Sequence, residues 1–180
     1  VSAQGLGGAD VHTAQSGVAH LATASEADAI EAVKRLLGYL PQNNNEDPPQ
    51  VVPYDAPDRM DEALNTLIPV AENEPYDIRD AIDMIFDRGS FMELHDAFAP
   101  NAVVGFARLD GFSIGVIANQ PAYMAGALNI DASDKISRFI RTCDAYNIPL
   151  VTFVDCPGFL PGTSQEYGGV IRHGAKIIYA

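Results

Sequence analysis

The sequence of 180 residues combines ordinary hydrophobicity with a strong negative charge. Its mean hydropathy is +0.01, 47% of its residues are hydrophobic, and its formal net charge is −13. The length suits one domain or a domain plus part of another, and the hydrophobic content excludes disorder throughout. No stretch approaches the roughly eighteen consecutive apolar residues of a membrane-spanning helix. Because an acidic chain repels nucleic acid and anionic membranes, neither is an expected partner.

The N-terminal residues and the two cysteines indicate the compartment to expect. The first ten residues are rich in glycine and lack a basic segment, so no secretory signal is predicted there. The first residue is Val1 rather than methionine, which suggests a processed or truncated chain. Cys143 and Cys156 are too few for a disulfide framework and lack metal-ligand spacing. We therefore expect a reducing compartment.

The first clear helix is predicted between Ser25 and Pro41. Ser25 suits an N-cap, and Asp28 three residues later resembles the acidic residue of a capping box. Apolar residues at helical spacing predict one buried face, made of Ile30, Val33, Leu37 and Leu40. Residues 42–49 are polar, contain proline and show no apolar periodicity, which predicts an interdomain connector.

The negative charge is concentrated in residues 46–96, which hold fourteen acidic residues, Glu72 among them, and three arginines. This composition is typical of a solvated linker and of exposed helix faces. Four prolines keep residues 50–76 irregular. Asp77 then caps a second predicted helix, with Gly89 beyond its end and an apolar face made of Ile78, Ile82, Ile85 and Phe86.

The apolar period changes after residue 102. Two β-rich runs, 103–109 and 112–118, flank Asp110-Gly111, a strong hairpin signal. A third helix follows, capped by Asp131 or Ser133, and its apolar stripe includes Cys143 as a core thiol. Residues 148–154 are nearly all apolar, which predicts a strand buried on both faces. A last helix is marked by Val170, Gly174, Ile177 and Ile178.

Residues 112–180 thus follow the order strand, helix, strand, helix. This order predicts an α/β fold in which a right-handed crossover joins two parallel strands. Ligands of such sheets bind beyond the carboxyl ends of the strands, where two loops occur here, 119–131 and 155–163. Glycine lets backbone N–H groups approach a ligand closely, and proline stiffens a loop. The sequence alone leaves open whether these loops bind a ligand or form only tight turns.

Other kinds of site find little support in the residues. Neither loop matches a nucleotide-binding pattern, and the four histidines are scattered without metal-ligand spacing. Each histidine is predicted to be structural or to lie on the surface. Asp155 ends a predicted strand and could act as a base, although capping the N–H groups of its own loop is the favoured interpretation.

Several long blocks resemble the carboxyltransferase family of biotin-dependent acyl-CoA carboxylases, most closely its propionyl-CoA carboxylase β-subunit branch. The blocks are residues 6–12 (LGGADVH), 16–20 (SGVAH), 104–108 (VGFAR), 115–121 (GVIANQP), 155–169 (DCPGFLPGTSQEYGG) and 172–176 (RHGAK). The resemblance covers essentially all 180 residues.

The resemblance implies an α/β, crotonase-like (ClpP/crotonase) superhelix of βαβ units that is incomplete in this chain. Chains of the family have two such halves. Residues 1–49 would be the C-terminal tail of the first half with its linker, and residues 50–180 the first part of the second half. The oxyanion glycines of both halves are expected outside these residues, so no catalytic residue is assigned here. The piece alone is expected to be inactive.

The family transfers a carboxyl group from carboxybiotin to the α-carbon of an acyl-CoA, and propionyl-CoA is the favoured substrate here. Enolate charge develops on oxygen, so backbone N–H donors rather than acid or base side chains carry this chemistry. Biotin would be carried by a partner, a biotin carboxylase or biotin carboxyl carrier subunit, and no metal is expected. The resemblance also implies a homo-oligomer, expected to be a hexamer. The predicted pocket lining is Gly126, Ala127, Pro157, Gly158, Phe159, Leu160 and Gly162.

Two alternatives remain open at this point. The chain could belong to the carboxyltransferase subunit of a membrane-linked, biotin-dependent decarboxylase, which resembles the carboxylase subunit. It could also be a non-catalytic assembly module that keeps a crotonase-like fold only for oligomerisation. Subunits encoded beside it would separate the first alternative, and intact glycine segments in the flanking sequence would argue against the second.

Overall fold

The computed structural model describes residues 1–71 and 74–180, so Glu72 of the acidic segment lies outside the described residues. Their strands form one mixed sheet in the order β1-β2-β3-β4. The strands are β1 (Met92–Leu94), β2 (Ala102–Leu109), β3 (Phe112–Asn119) and β4 (Leu150–Phe153). The helices are α1 (Ala3–Gly7), α2 (Ala9–Ala14), α3 (Glu26–Leu37), α4 (Leu64–Leu67), α5 (Ile78–Ile85), α6 (Ile130–Ala145), α7 (Thr163–Gly168) and α8 (Val170–Tyr179).

The predicted hairpin and the parallel strand pair are both confirmed. Strands β2 and β3 pair antiparallel, and Leu109 lies opposite Phe112 across the two-residue turn. Asp110 and Gly111 have φ angles of 52° and 77°, the left-handed values that a tight primed turn requires. Strand β4 then pairs parallel with β3 after helix α6, so residues 112–153 form the predicted βαβ unit.

Both faces of the sheet carry a packed helix layer. Helix α6 covers one face, where Phe106 of β2 packs with Phe139, their ring centroids 5.2 Å apart. Helix α5 covers the other face, where fully buried Ile82 packs among the alternate residues of β2 and β3. The central strands are therefore apolar on both faces, as a sheet between two helix layers requires. None of the helices in the described residues has the length and hydropathy to cross a membrane.

Helix α3 forms where predicted, but its buried face is not the predicted one. Ser25 caps it, and its hydroxyl contacts the backbone N–H and the carboxylate of Asp28. Leu40 packs partly against the core, and Leu36 and Tyr39 anchor the same end. The other predicted positions are between 50% and 61% exposed, namely Ile30, Val33 and Leu37. The prediction is wrong for them because no other described element covers that side.

Strand β4 is also more exposed than predicted. It runs only from Leu150 to Phe153 and lies at the edge of the sheet, so its outer side has no partner among the described strands. Leu150 is 38% exposed and Val154 78% exposed. The apolar run indicated a strand correctly, but a buried position on both faces depends on further elements that the described residues do not supply.

Three smaller predictions need correction. Asn129, not Asp131 or Ser133, caps α6, and its side chain accepts from the N–H of Ala132. Helix α5 ends at Ile85, so Gly89 lies in the following turn rather than directly after the helix. Two short helices, α1 and α2, occupy the glycine-rich start, where the apolar pattern predicted none. Cys143, in contrast, is a fully buried core thiol as predicted, and burial raises its pKa to about 12.

His95 joins the N-terminal segment to the sheet. It is 5% exposed, its Nε2 lies 3.0 Å from the Gly17 carbonyl oxygen, and its backbone N–H donates to the His20 carbonyl. The His20 ring packs against it, with the ring centroids 3.9 Å apart and the ring planes tilted by 33°. Burial, the neighbouring His20 and the ammonium of Lys135 lower the pKa of His95 to about 4. The prediction of a structural histidine is confirmed at this position.

The stability of the protein should fall as the pH falls from about 6.5 to about 4. In this window the unfolded chain binds a proton at His95 that the folded protein does not accept, so unfolding is favoured by up to about 3 kcal/mol. His95→Gln should remove that part of the pH dependence in urea unfolding. His12→Gln is the control and should keep the pH dependence of the wild type. The prediction would be contradicted if His95→Gln and the wild type lost the same stability between about pH 6.5 and 4.

Candidate functional site

The loops that follow β3 and β4 lie side by side, as the sequence predicted. The 119–131 loop and the 155–163 loop form an isolated parallel bridge between Leu128 and Phe159. The N–H of Leu128 donates to the Gly158 carbonyl at 3.0 Å, and the N–H of Leu160 donates to the Leu128 carbonyl at 2.8 Å. We call these segments the paired loops. Parallel neighbouring strands place their carboxyl ends at one edge of the sheet, which brings the loops together.

Gly126 lies close against the main chain of the 155–163 loop. It ends the 3-10 turn Met124–Gly126 and has a φ of +74°. A Cβ at this position would lie 2.3 Å from the carbonyl oxygen of Asp155. The left-handed backbone and the close approach of a neighbouring main chain both require glycine here.

The N–H groups of Gly126 and Ala127 are used inside their own loop. They donate to the carbonyls of Tyr123 and Met124 at 2.9 and 3.0 Å, and both residues are buried. These two residues therefore lie behind the loop surface, where they support the 155–163 loop. Their assignment as pocket lining stays a prediction.

The 155–163 loop presents the other predicted residues. Pro157, Gly158 and Gly162 are exposed, Phe159 is 42% exposed, and Leu160 is partly buried. Gly158 and Gly162 have φ angles of 133° and 144°, and a Cβ on either would meet no atom within 4 Å. Among the described residues, the N–H groups of Cys156, Phe159 and Gly162 have no hydrogen-bond partner.

The ring of Phe159 is held by a glycine of the last helix. A Cβ on Gly174 of α8 would lie 2.3 Å from a ring carbon of Phe159. The ring thus packs directly on the backbone of α8. The helical spacing of the sequence marked Gly174 as a helix position, and the contact explains why this position has no side chain.

Asp155 does not cap the N–H groups of its loop, and that prediction is wrong. Its carboxylate instead accepts a hydrogen bond of 2.8 Å from the hydroxyl of Tyr76, which precedes α5. Burial, followed by the bond to Asp155, raises the pKa of Tyr76 to about 12, so this hydroxyl remains a donor across the physiological range. The contact ties the carboxyl end of β4 to the helix layer on one face.

Comparison with known proteins identifies the family. The sequence model described as the carboxyl transferase domain matches residues 1–180. The chain belongs to this family. It is 55% identical to the propionyl-CoA carboxylase carboxyltransferase subunit of Haloferax mediterranei over 97% of this chain and 34% of that protein. It is 57% identical to the methylmalonyl-CoA decarboxylase subunit alpha of Veillonella parvula over 100% of this chain and 35% of that protein.

Structural comparison gives the same assignment. A crystal structure of transcarboxylase 12S, described as a hexamer with methylmalonyl-CoA bound, superposes with a TM-score of 0.96. The sequences are 46% identical, and the match covers 99% of this chain and 34% of that one. The predicted α/β, crotonase-like fold is confirmed. The carboxyltransferase chain described here spans about a third of the length of the curated relatives it matches.

Three buried amide side chains support the paired loops of this carboxyltransferase domain, and sequence reasoning missed all three. Asn101 donates to the Ala127 carbonyl at 2.7 Å, and Asn119 donates to the Gly126 carbonyl at 3.0 Å. Gln120, fully buried, donates to the carboxylate of Asp77 at 2.6 Å. The available signal was Asn119-Gln120 at the end of an apolar strand, because a buried amide must have hydrogen-bond partners.

Two grooves on the described residues lie away from the paired loops. One, of about 1150 Å³, lies between α6 and α8 and includes the exposed Arg138, Arg141 and Arg172. The other, of about 500 Å³, lies between α3 and β1. In the described parts of the chain, no three His, Cys, Asp or Glu residues lie close enough together to hold a metal ion.

Gly126→Ala should displace the 155–163 loop, whereas Gly89→Ala should not. Both glycines have φ near +70°, so an alanine costs each about 1 kcal/mol of backbone strain. Only the alanine at 126 would also collide with the Asp155 carbonyl, while a Cβ at 89 meets no atom within 4 Å. Urea unfolding and hydrogen exchange of the loop measure the difference. Equal losses of stability and equal loop exchange in the two variants would contradict the contact.

Proposed function

We propose that the chain is part of a biotin-dependent acyl-CoA carboxyltransferase. The enzyme would move a carboxyl group from carboxybiotin to the α-carbon of a short-chain acyl-CoA, with propionyl-CoA favoured. The observation that carries the proposal is the match of the carboxyl transferase domain family to all 180 residues. The names of the similar proteins support the substrate class, since the Haloferax protein is named for propionyl-CoA and the Veillonella protein for methylmalonyl-CoA.

In this proposal the 155–163 loop forms one wall of the chamber in which the two ligands meet. Gly158 and Gly162 leave open space where side chains would stand, which suits the approach of a bulky, uncharged ligand such as biotin. The N–H groups at 156, 159 and 162 are free to donate to ligand oxygens. Biotin, when bound, would supply the carboxyl group, and the residues of this chain would orient it and exclude water.

The division of the chain remains part of the proposal. Residues 1–49 would end the first crotonase-like half and residues 50–180 would begin the second. The connector between them lies along the hairpin: Arg108 donates to the Pro49 carbonyl at 2.8 Å, and Val51 donates to the Gly111 carbonyl at 3.1 Å. The oxyanion glycines would lie in other parts of the enzyme.

The partners follow from the same proposal. A biotin carboxylase or biotin carboxyl carrier subunit would bring the biotin, and the assembly would be a homo-oligomer. The hexamer of transcarboxylase 12S supports six copies. No metal is proposed for this subunit, and the compartment, bacterial cytoplasm or mitochondrial matrix, stays a prediction.

Gly158→Val in the full-length protein should lower carboxyl transfer at least about a hundredfold and leave the oligomer intact. Valine disfavours the φ of +133° and would fill the open space beside the loop. Transfer is measured as propionyl-CoA-dependent loss of labelled carboxyl from carboxybiotin, with assembly checked by sizing. Gly89→Val, at another glycine of positive φ, is the control. Turnover of Gly158→Val equal to the control would remove this loop from the site, and no transfer by the wild type would refute the proposed activity.

A second candidate is the carboxyltransferase subunit of a biotin-dependent decarboxylase. The 57% identity to the Veillonella decarboxylase subunit favours it as strongly as the carboxylase relative favours the first proposal. The reaction at this subunit would run from methylmalonyl-CoA to biotin. The difference between the two enzymes therefore lies in the partner subunits.

Isolation of the native complex should separate the two candidates. We expect a carboxylase to co-purify with a subunit that carboxylates biotin with ATP, and methylmalonyl-CoA to accumulate when bicarbonate, ATP and propionyl-CoA are supplied. Integral membrane subunits in the complex, together with release of CO₂ from methylmalonyl-CoA without ATP, would assign the chain to the decarboxylase instead.

A further inference from the structure

Unlike its neighbours on β3, Asn119 lies between the paired loops. It is the last residue of β3, it is 8% exposed, and both polar atoms of its side chain are engaged. Its Nδ2 donates to the Gly126 carbonyl at 3.0 Å. Its Oδ1 accepts from the backbone N–H of Asp155 at 3.4 Å. One side chain thus bonds the main chain of both loops.

The contacts around Asn119 leave the loops little freedom to separate. A Cβ added to Gly126 would lie 3.2 Å from the Cβ of Asn119 and 2.3 Å from the carbonyl oxygen of Asp155. The amide therefore bridges the loops beside the close approach of Gly126 to the Asp155 carbonyl. The Leu128–Phe159 bridge lies further along the same pair of segments.

A second amide holds the next carbonyl of the same turn. Asn101, 1% exposed, donates to the Ala127 carbonyl at 2.7 Å and to the side chain of Asn129 at 3.2 Å. The carbonyls of Gly126 and Ala127 are thus both turned toward buried donors. A turn held in this way cannot rotate a peptide without leaving a buried amide unpaired, which is costly in an interior of low polarity.

We propose that Asn119 is a positioning residue for carboxyl transfer. It touches no ligand; it fixes the 155–163 loop, and with it the N–H groups at 156, 159 and 162, to the rigid end of β3, with Asn101 holding the turn from the other side. This inference rests on the proposed function, because it assigns Asn119 to the loop that we place in the chamber wall. The chemistry of transfer depends on ligands held within fractions of an ångström, so a loosened loop lowers turnover without removing any reacting group.

The test compares Asn119→Ala with Ser113→Ala in the full-length protein. Ser113 lies at the opposite end of β3, is 2% exposed, and has its hydroxyl 3.4 Å from the Pro49 carbonyl. Both variants lose a buried polar group on one strand, so a general loss of stability is matched. Asn119→Ser is the milder second variant should Asn119→Ala fail to fold, and Asn119→Asp keeps the acceptor but loses the donor to Gly126.

The first readout is hydrogen exchange followed by mass spectrometry, which needs no activity. We expect the opening equilibrium of peptides covering 119–131 and 155–163 to rise about fivefold or more in Asn119→Ala and in Asn119→Asp, with β1 and β2 peptides unchanged. Ser113→Ala should leave the paired loops at the wild-type rate. The inference would be overturned if the paired loops exchanged at the same rate in Asn119→Ala as in Ser113→Ala. If Asn119→Ala does not fold, the same comparison is made with Asn119→Ser.

The second readout is steady-state kinetics of carboxyl transfer. We expect kcat of Asn119→Ala to fall at least about tenfold, with KM for the acyl-CoA within about threefold of wild type, because the residue acts through the loop and not through acyl-CoA contacts. Ser113→Ala should keep wild-type kcat. An unchanged kcat in Asn119→Ala with loosened loops would overturn the positioning role. Absence of transfer by the wild type would refute the proposed function instead, and loop exchange would still decide whether Asn119 fixes the loops.

Discussion

The arrangement of the sheet edge depends on the hydrogen bonds that the Lys135 ammonium donates. Lys135 lies in α6, is 2% exposed, and its Nζ donates to the backbone carbonyls of His95, Phe98 and Ala102 at 2.7 to 2.8 Å. The first two carbonyls belong to the segment that joins β1 to β2, and Ala102 is the first residue of β2. Burial lowers the pKa of Lys135 to about 8, so the charged form still predominates at neutral pH. A buried charge is tolerated only when it is fully hydrogen-bonded, and here the main chain supplies every acceptor.

The fixed segment before β2 connects the core to the candidate site. It ends at Asn101, whose carbonyl accepts from the N–H of Gln120 and whose side chain holds the 119–131 loop. The same segment holds the N-terminal part of the chain through the contacts of His95 with Gly17 and His20. Three separate stretches of sequence thus meet at the segment that one buried lysine holds in place. Polar contacts beneath the glycine and proline loops thus add to the constraints that their own residues impose.

Two helices and one strand of the described residues leave apolar side chains or a strand edge exposed. Helix α3 exposes a stripe that includes Ile30 and Val33, and α8 exposes Ile171 and Ile178. Strand β4 has an open edge among the described strands. Apolar stripes at helical spacing are typical of surfaces that pack against other elements. The relatives that this chain matches are about three times as long, and the transcarboxylase 12S structure is described as a hexamer.

Most of the local structure, and membership of the family, could be predicted from the order of the residues. The Asp110-Gly111 turn, the Ser25 cap, the βαβ order and the blocks around residues 115–121 and 155–169 need only neighbouring residues, because turns, caps and periodicity are short-range properties. Tertiary structure alone decided which apolar faces are buried, since burial requires a partner that periodicity does not name. It likewise decided that Asp155 bonds to Tyr76 and that Asn101 and Asn119 hold the paired loops. Those contacts join residues between 7 and 79 positions apart, and only the packed sheet brings them within hydrogen-bond distance.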